Sequence, residues 1–368
     1  MNSASPVDTL IGLCRADLIG RRVEWMPVDE ELVQSAVSHG LVGLLHRALA
    51  GVEHLPMDLR HAAIAHASAN IALSAELISI VRALKDADVD SIALKGPALA
   101  GRAYGHIYVR DSSDLDILVR REDLARAKTI LTKLGYRRKE SADETYHLTF
   151  VRQDDESVVE IHWALTSEME RVRIDADGIW ARTEEVLVQG EPVRTLGLED
   201  TILYLCIHGF KHRWNCLKWV SDVAYLLHRE TSMNWEALLE RARQCGCLRI
   251  LRIGLLLVST TFRIALPPNI EAEARADRTA VRLIGKFARA LTGGTAIGEI
   301  EAMIYEIHAR ERFPDRAALL WRLIDHIVRP TSEDGPMTSS ILVLALKRPF
   351  RLCRTYGFGW LRPMFRLR

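Results

Sequence analysis

Several features that mark common protein classes are missing from this sequence. None of its six cysteines forms a CxxC pair, and Cys245-Gly-Cys247 stands alone, so the spacing does not indicate a zinc site. The formal net charge of the 368 residues is only +1, which argues against a bulk electrostatic preference for nucleic acid or for a membrane surface. The first residues, MNSASPVDTLIGL, lack the basic and apolar regions of a signal peptide.

Long apolar runs are also missing. Stretches such as Ile253–Val258 are much shorter than the roughly 20 residues that a membrane-spanning helix needs, so no transmembrane segment is expected. Six unpaired cysteines are typical of free thiols in a reducing compartment. Hydrophobic residues make up 48% and charged residues 26%, values typical of a globular protein with a core. We therefore predict a cytoplasmic protein.

The hydrophobic period changes twice along the chain. Apolar residues recur at helical spacing from Leu10 to Leu84 and again after Gly197, whereas short apolar runs at 91–95 and 115–119 are typical of strands. Residues 147–163 alternate around a polar turn, which predicts a hairpin. This pattern predicts an α+β protein with an N-terminal helical region (1–88), a small mixed-sheet core (89–195) and a C-terminal helical domain with a basic tail (196–368).

The segment Ser113-Asp-Leu-Asp-Ile-Leu118 carries the sharpest local motif. Side chains alternate along a strand, so Asp114 and Asp116 project from the same face. Two neighbouring carboxylates are costly to bury unless a cation compensates them. The motif is compatible with a divalent-metal platform, although a solvated strand entry is the favoured interpretation of an isolated D-x-D.

Three neighbouring features favour the metal platform. Upstream, Lys95-Gly96-Pro97 joins a strand to a helix, and the backbone N–H groups of such a turn can bind phosphate oxygens. Arg110 precedes the acidic pair and is a candidate phosphate clamp. Downstream, Glu160 lies in the middle of an apolar strand, where a paired or metal-bound carboxylate is the best explanation.

At these residues the chain resembles the nucleotidyltransferases of the DNA polymerase β superfamily. The segment LKGPALAGRAYGHIYVRDSSDLDILV is similar to an uncharacterised nucleotidyltransferase family with an LKG, Arg and D-x-D signature. The segments VVEIHW, HGFKHRWNCLKWVSDV and RPFRLCRTYG also resemble that family, so the similarity covers most of the chain. Genes of this group often accompany those for peptide natural-product biosynthesis.

The resemblance implies a magnesium-dependent enzyme. Two Mg²⁺ ions would be held by Asp114, Asp116 and Glu160 against an NTP, expected to be ATP, and the acceptor would be a hydroxyl of a peptide or small molecule. Many superfamily members have Gly-Ser at the phosphate turn, whereas this chain has Gly96-Pro97. The serine hydroxyl is thus absent, Lys95 would partly replace it, and attack at the γ-phosphorus stays an alternative to attack at the α-phosphorus.

Further residues are candidates for binding the nucleotide. Ser113 adjoins the acidic pair, and His162 shares a strand face with Glu160, where it would orient that carboxylate, act as a base or make a structural hydrogen bond. Four residues are predicted to form a basic patch that faces the triphosphate or the acceptor, in preference to a metal site: His208, Lys211, His212 and Lys218. Asp222 would anchor this patch or form an ion pair, and Tyr104 is expected in the core rather than stacked on a base.

The tail beyond Asp334 has no acidic residue and interleaves arginines with aromatic residues. Such mixing suits nucleic acid, a membrane surface or an acidic partner, but a basic helix packed on its own domain is favoured. Three alternatives to nucleotidyl transfer to a peptide or small molecule remain: a kinase on the same core, a toxin-like tRNA nucleotidyltransferase and a non-catalytic binding module. Because the acids would repel one another without metal, their amide variants are expected to raise stability.

Overall fold

The computed structural model describes residues 5–24, 26–140, 144–152, 157–294 and 296–328. The strands in these ranges are β1 (Ser91–Ala93), β2 (Asp114–Val119), β3 (Tyr136–Lys139), β4 (His147–Arg152), β5 (Val158–His162), β6 (Glu184–Val188) and β7 (Glu191–Thr195). The helices are α1 (Pro6–Leu18), α2 (Glu30–Ser38), α3 (Val42–Ala48), α4 (Met57–Lys85), α5 (Gly96–Tyr104), α6 (Leu124–Lys133), α7 (Ala176–Ala181), α8 (Leu198–Lys211), α9 (Leu217–Arg229), α10 (Trp235–Cys245), α11 (Leu248–Phe262), α12 (Pro268–Ala276), α13 (Arg278–Leu291), α14 (Glu299–Ala309) and α15 (Phe313–Val328).

All seven strands belong to one mixed sheet with the order β3-β4-β5-β2-β1-β7-β6. Strand β2 runs parallel to β5 and β1 runs parallel to β7, while the other neighbours are antiparallel. In the β2–β5 ladder Asp116 lies directly opposite Glu160. The sheet thus brings together two acids that are far apart in the sequence.

The predicted α+β class is confirmed, with helices before and after the sheet. The expected strands around 91–95 and 115–119 are present, and so is the β4–β5 hairpin, although residues 153–156 of its turn lie outside the described ranges. The basic tail also lies outside them.

Three strands were not predicted from the sequence: β3 and β6, which form the two edges of the sheet, and β7, which lies next to β6. Strand β3 has the sequence YRRK, in which only Tyr136 is buried. Strands β6 and β7 form a hairpin whose turn residues Gln189 and Gly190 both have positive φ, at 50° and 86°. Two residues of this conformation make a tight hairpin turn. The Gln-Gly pair between two alternating runs was therefore a usable signal.

Helix α4 corrects one expectation. With 29 residues, it is long and apolar enough to cross a membrane by length and composition alone, and no other described helix is. In the folded chain Leu77 and Ile80 pack against the sheet, and the helix buries polar groups on the same side. Buried Asn70, for example, donates its amide to the carbonyl of Arg110 at 3.0 Å. One face of α4 therefore packs along the sheet, while only 28% of its most apolar 18-residue window is buried.

Helix α5 joins two hydrophobic cores. Its Ala98 belongs to the core beneath the sheet, while Leu99 and Ala103 belong to the larger core formed by the N-terminal and C-terminal helices. Helix α5 begins at Gly96, whose φ of +65° is a conformation that favours glycine. Helix α5 is thereby held between the sheet and helix α9.

Candidate active site

A cavity of about 380 Å³ is lined by residues of the sheet, the α5 turn and helices α8 and α9. Every residue that the sequence singled out for catalysis or binding contributes to its wall. These residues are Lys95, Gly96, Arg110, Ser113, Asp114, Asp116, Glu160, His162, His208, Lys211, His212 and Lys218. The structure therefore brings all the predicted positions to one place, although it gives some of them different partners from those expected.

The acidic wall is formed by β2 and β5. Asp116 is 4% exposed, while Asp114 and Glu160 are half-buried. Burial and the neighbouring Asp116 carboxylate raise the pKa of Asp114, despite the opposing effect of Lys95. Burial would raise the pKa of Asp116 as well, but Lys95 and a hydrogen bond from His162 hold it well below its usual range. The pKa values of two aspartates on the same strand are thus shifted in opposite directions.

His162 connects the two strands of the acidic wall. Its Nε2 atom lies 3.1 Å from Oδ1 of Asp116 and 3.4 Å from Oε2 of Glu160. The hydrogen bond from His162 lowers the pKa of Glu160 against the effect of burial. Burial alone would lower the pKa of His162, but these two carboxylates raise it above its ordinary value. The imidazole therefore orients both acids in this structure.

The turn before α5 supplies the cation nearest to the acids. The Lys95 ammonium lies 3.1 Å from Oδ2 of Asp116, and its side chain is 11% exposed. A Cβ at position 96 would lie 3.5 Å from the carbonyl oxygen of Asp114, so the turn approaches β2 closely. Ser113 donates a hydrogen bond to Asp114 at 3.2 Å. Lys95 thus acts as a counter-ion of Asp116.

Arg110 has a different partner from the predicted phosphate. It donates from Nε and Nη2 to the two carboxylate oxygens of Asp222 at 2.9 and 3.0 Å, and from Nη1 to Ser112 at 3.1 Å. Tyr104 also donates to Asp222, at 2.8 Å, and is 4% exposed, so it is a core residue as expected. Because Asp222 already occupies the guanidinium, Arg110 is not placed as a free phosphate clamp.

The predicted basic patch is less basic than expected. Burial, followed by Lys95, holds the pKa of His208 well below its ordinary value. Partial burial in the cavity wall lowers the pKa of His212 to about 4, and the positive charges of Lys211 and Lys95 add to the shift. Both imidazoles are therefore neutral at pH 7.

The two lysines of the patch have partners as well. Lys211 lies 3.1 Å from Glu170 and donates to the Tyr146 hydroxyl at 2.7 Å. Lys218 donates to the backbone carbonyl of Asp111 at 3.1 Å, and burial followed by Arg110 lowers its pKa. Lys218 thus has one neutral acceptor in this structure.

Residues 28–263, nearly two thirds of the chain, match a family described as uncharacterised nucleotidyltransferase. The chain belongs to that family. It is therefore a transferase whose general reaction is nucleotidyl transfer, as the resemblance at the LKG and D-x-D segments implied.

Comparison with known proteins adds distant structural similarities. No curated protein matches this nucleotidyltransferase. The crystal structure of ANT(2″)-Ia in complex with adenylyl-2″-tobramycin has 16% identity and a TM-score of 0.36, over 47% of this chain and 96% of that one. A solution structure of the antibiotic-resistance factor ANT(2″)-Ia has 18% identity and a TM-score of 0.34, over 46% and 89%. An antigenic nucleotidyltransferase-like protein from Paracoccidioides brasiliensis has 12% identity and a TM-score of 0.35, over 55% and 92%. Similarities this distant transfer no substrate to the present enzyme.

Seven further residues of the nucleotidyltransferase line the cavity and were missed: Tyr146, His147, Leu165, Glu170, Tyr204, Ile207 and Trp219. His147 pairs across the β4–β5 ladder with His162, so the predicted hairpin could have placed it on the same face. Trp219 follows Lys218 on α9. Glu170 ends a short 3-10 turn and carries no sequence pattern that marks it.

The nucleotidyltransferase offers ligands that fit a divalent cation. Asp116, Glu160 and His162 each supply one ligand atom within 4.8 Å of the others, and the described residues contain no second group of this kind. Asp114 lines the same cavity but is outside this group. Carboxylate oxygens suit Mg²⁺, whereas imidazole suits transition metals. Since His162 already bonds both acids, the donor set suits magnesium on the carboxylates, with His162 orienting them.

Other metal sites are not supported in the described part of the nucleotidyltransferase. The alternative in which His208, Lys211 and His212 form a metal site has no support there, because these residues belong to no ligand cluster. The five cysteines in the described ranges are free, as expected, and Cys245 and Cys247 are both buried. The carboxylates on β2 and β5 are thus the metal candidates that the structure favours.

Proposed function

We propose that this enzyme transfers a nucleotidyl group from an NTP, with ATP as the expected donor, to a hydroxyl of a peptide or small molecule, using Mg²⁺. The observation that supports this best is the register of β2 and β5, which places Asp116 opposite Glu160 on a cavity wall that also contains Asp114. A scaffold without catalytic function gains nothing from placing two half-buried carboxylates beside a buried one. The arrangement therefore argues against the alternative of a non-catalytic binding module.

The charges around the cavity support a role for metal ions. Arg110 is already paired with Asp222, so Lys95, Lys211 and Lys218 are left to oppose four acids, Asp114, Asp116, Glu160 and Glu170. A triphosphate is strongly anionic and would add further negative charge to a cavity whose lysines do not outnumber its acids. Divalent cations would restore the balance, because each adds two positive charges next to the acids.

In this proposal each residue has a separate task. Asp114, Asp116 and Glu160 hold the metal, and His162 keeps the Asp116 and Glu160 carboxylates oriented through its Nε2 atom. Bound magnesium would stabilise the charge that develops on the phosphate oxygens. Lys95 and the backbone of the Gly96 turn bind phosphate, with Ser113 beside Asp114.

Arg110 takes a positioning role in this proposal. Its pair with Asp222 ties the segment before β2 to α9, which carries Lys218. The hydrogen bond from Asn70 to the Arg110 carbonyl ties the same segment to α4. The guanidinium therefore fixes the spacing between the acidic and helical walls, and Lys95 is left as the main phosphate cation.

The test follows phosphorus atoms. The enzyme is incubated with Mg²⁺, a pool of hydroxyl-bearing peptides and small molecules, and ATP labelled at either the α- or the γ-phosphorus. We expect label from the α position on an acceptor, with release of pyrophosphate, and no transfer by the Asp116→Asn variant. Label from the γ position with release of ADP would overturn the proposal and make the protein a kinase on the same core.

A further inference from the structure

Three aromatic rings on the helical wall of the cavity have no part in the chemistry described above. His208 lies on α8, His212 follows the end of that helix, and Trp219 lies on α9. The ring centroids are 4.6 Å apart for the two histidines, 5.5 Å for His208 and Trp219, and 4.9 Å for His212 and Trp219. All three side chains line the cavity. We refer to them as the ring cluster.

Core packing accounts for only part of the ring cluster, although Trp219 contacts the larger hydrophobic core. The pair of Phe210 and Phe287 also makes a ring contact, at 5.7 Å, but both of these side chains are buried, as expected for core residues. In the ring cluster, by contrast, His212 is exposed and Trp219 is half-buried. Part of its aromatic surface is thus available to a molecule in the cavity.

The ring cluster is also uncharged at neutral pH. Burial and the charge of Lys95 lower the pKa of His208. Partial burial and the charge of Lys211 lower the pKa of His212 to about 4. Neutral imidazoles do not neutralise a phosphate group, but they offer flat surfaces next to the indole of Trp219. The cluster therefore suits a planar ring better than an anion.

Two other aromatic residues of the cavity are less suited to hold a planar ring. Tyr204 is only 4% exposed. Tyr146 has the Lys211 ammonium 4.7 Å from its ring centroid, and its hydroxyl accepts a hydrogen bond from the same ammonium. The accessible aromatic surface on the helical wall thus belongs to His212 and Trp219.

We propose that His212 and Trp219 form the surface on which the nucleobase of the NTP stacks, while His208 supports Trp219 edge to face at an interplanar angle of 87°. This inference rests on the proposed function, because it requires the NTP to bind in this cavity. Every base has a π-face, and stacking does not read hydrogen-bonding edges. Stacking should consequently contribute a similar amount to the binding affinity of NTPs with each of the four bases.

The experiment compares ligands with and without a base. Binding of ATP, CTP, GTP, UTP and inorganic tripolyphosphate, each with Mg²⁺, is measured by isothermal titration for the wild-type enzyme and for Trp219→Leu. We expect each NTP to bind about 5- to 150-fold more weakly to the variant, the range typical of base–aromatic stacking. Tripolyphosphate should bind equally to both proteins. Trp219→Phe should restore most of the NTP affinity, and Trp321→Leu, at a 72% exposed position on α15, is the matched control without effect.

The outcomes separate this inference from the proposed function. Unchanged NTP affinity in Trp219→Leu, or an equal loss for tripolyphosphate, overturns the stacking surface and leaves the proposed function in place. A wild-type enzyme that binds tripolyphosphate but no NTP, or neither ligand, contradicts both. Should Trp219→Leu fail to fold, His212→Leu at an exposed position gives the same comparison, with a loss for the NTPs alone expected.

Discussion

Two buried carboxylates of this protein, Asp222 and Asp116, differ in how completely their charges are satisfied. Asp222 is fully buried and accepts two hydrogen bonds from Arg110 and one from Tyr104. Asp116 is 4% exposed and lies 3.1 Å from both Lys95 and His162, with one contact to each. Bidentate pairs of arginine with carboxylate are geometrically fixed, whereas an ammonium is a flexible point charge.

The difference indicates which of the two acids can change partners. Asp222 has no need of a ligand, because the protein supplies all its donors, and its pair with Arg110 joins two walls of the cavity. Asp116 has partners that a metal ion can replace, next to two further acids on the same wall. A buried charge with a complete set of protein partners is thus structural, and one with exchangeable partners is a candidate ligand.

Asp116→Asn should cause the largest loss of activity. We expect transfer to fall by more than about a thousandfold, equivalent to ~4 kcal/mol of activation free energy, because the amide keeps the shape but removes the charge that binds metal. The measurement is the rate of pyrophosphate release with saturating ATP and Mg²⁺. Circular dichroism checks that the variant is folded. Activity close to that of the wild type would show that Asp116 is not a metal ligand.

Asp222→Ala should cause the largest loss of stability. The change leaves the Arg110 guanidinium buried without its partner, which costs about 3–5 kcal/mol in comparable cases. Denaturant unfolding measures the free energy. The double variant Arg110→Met with Asp222→Leu removes both charges and should recover most of the loss. A single variant as stable as the wild type would mean that water or another donor replaces the carboxylate, and the contrast with Asp116 would disappear.

The sequence predicted most of the polar residues that line the cavity, but not the hydrogen-bond and ion-pair partners of these residues. Asp114, Asp116 and Glu160 follow from strand periodicity, and His208 with His212 follow from helix periodicity, because both periods are local. The pair of Arg110 and Asp222 joins residues 112 positions apart, and no local period reports such a contact. For the same reason the neutral state of His208 was missed, since it depends on burial and on Lys95 from another element.

The strands at or next to the sheet edges were missed for a related reason. Strands β3, β6 and β7 are stabilised by pairing with the neighbouring strand, and most of their side chains are exposed or half-buried. Their hydrophobic pattern is therefore weak, even though every residue of these strands pairs with a residue of a neighbouring strand. The central strands β2 and β5 were found because burial makes their composition distinctive.

Lys95 and Arg110, the cationic partners of Asp116 and Asp222, provide a sharper test of the difference between these two acids. Lys95→Ala should weaken binding of inorganic tripolyphosphate with Mg²⁺ by about 1.5–3 kcal/mol, the range for hydrogen bonds to charged groups. Arg110→Met in a protein that remains folded should have a much smaller effect on this affinity, because Asp222 occupies the guanidinium. Isothermal titration measures both. Equal losses would mean that Arg110 contacts phosphate directly, as the sequence alone suggested.

The smallest effects are changes in the stability of the metal-free protein. Ionisation of Asp114 and ionisation of Asp116, on the same strand, should change this stability in opposite directions. The pKa of Asp114 is raised in the folded state by burial and by Asp116, so its ionisation opposes folding at every pH above its unfolded-state value. The pKa of Asp116 is lowered by Lys95 and His162, which outweigh burial. Its charge therefore stabilises the fold, and that contribution is lost only as the pH falls through the acidic range.

At pH 7 in the presence of a chelator, Asp114→Asn should therefore raise the Tm slightly, whereas Asp116→Asn should lower it. This replaces the simpler expectation that all the acids repel one another and that each amide variant is more stable. Excess Mg²⁺ should raise the Tm of the wild type, since a ligand that binds only the folded state stabilises it, and this rise should be much smaller in both variants. Differential scanning calorimetry measures these shifts. A rise in Tm for Asp116→Asn without metal would show that Lys95 and His162 do not compensate its charge, and the distinction between the two aspartates would then be lost.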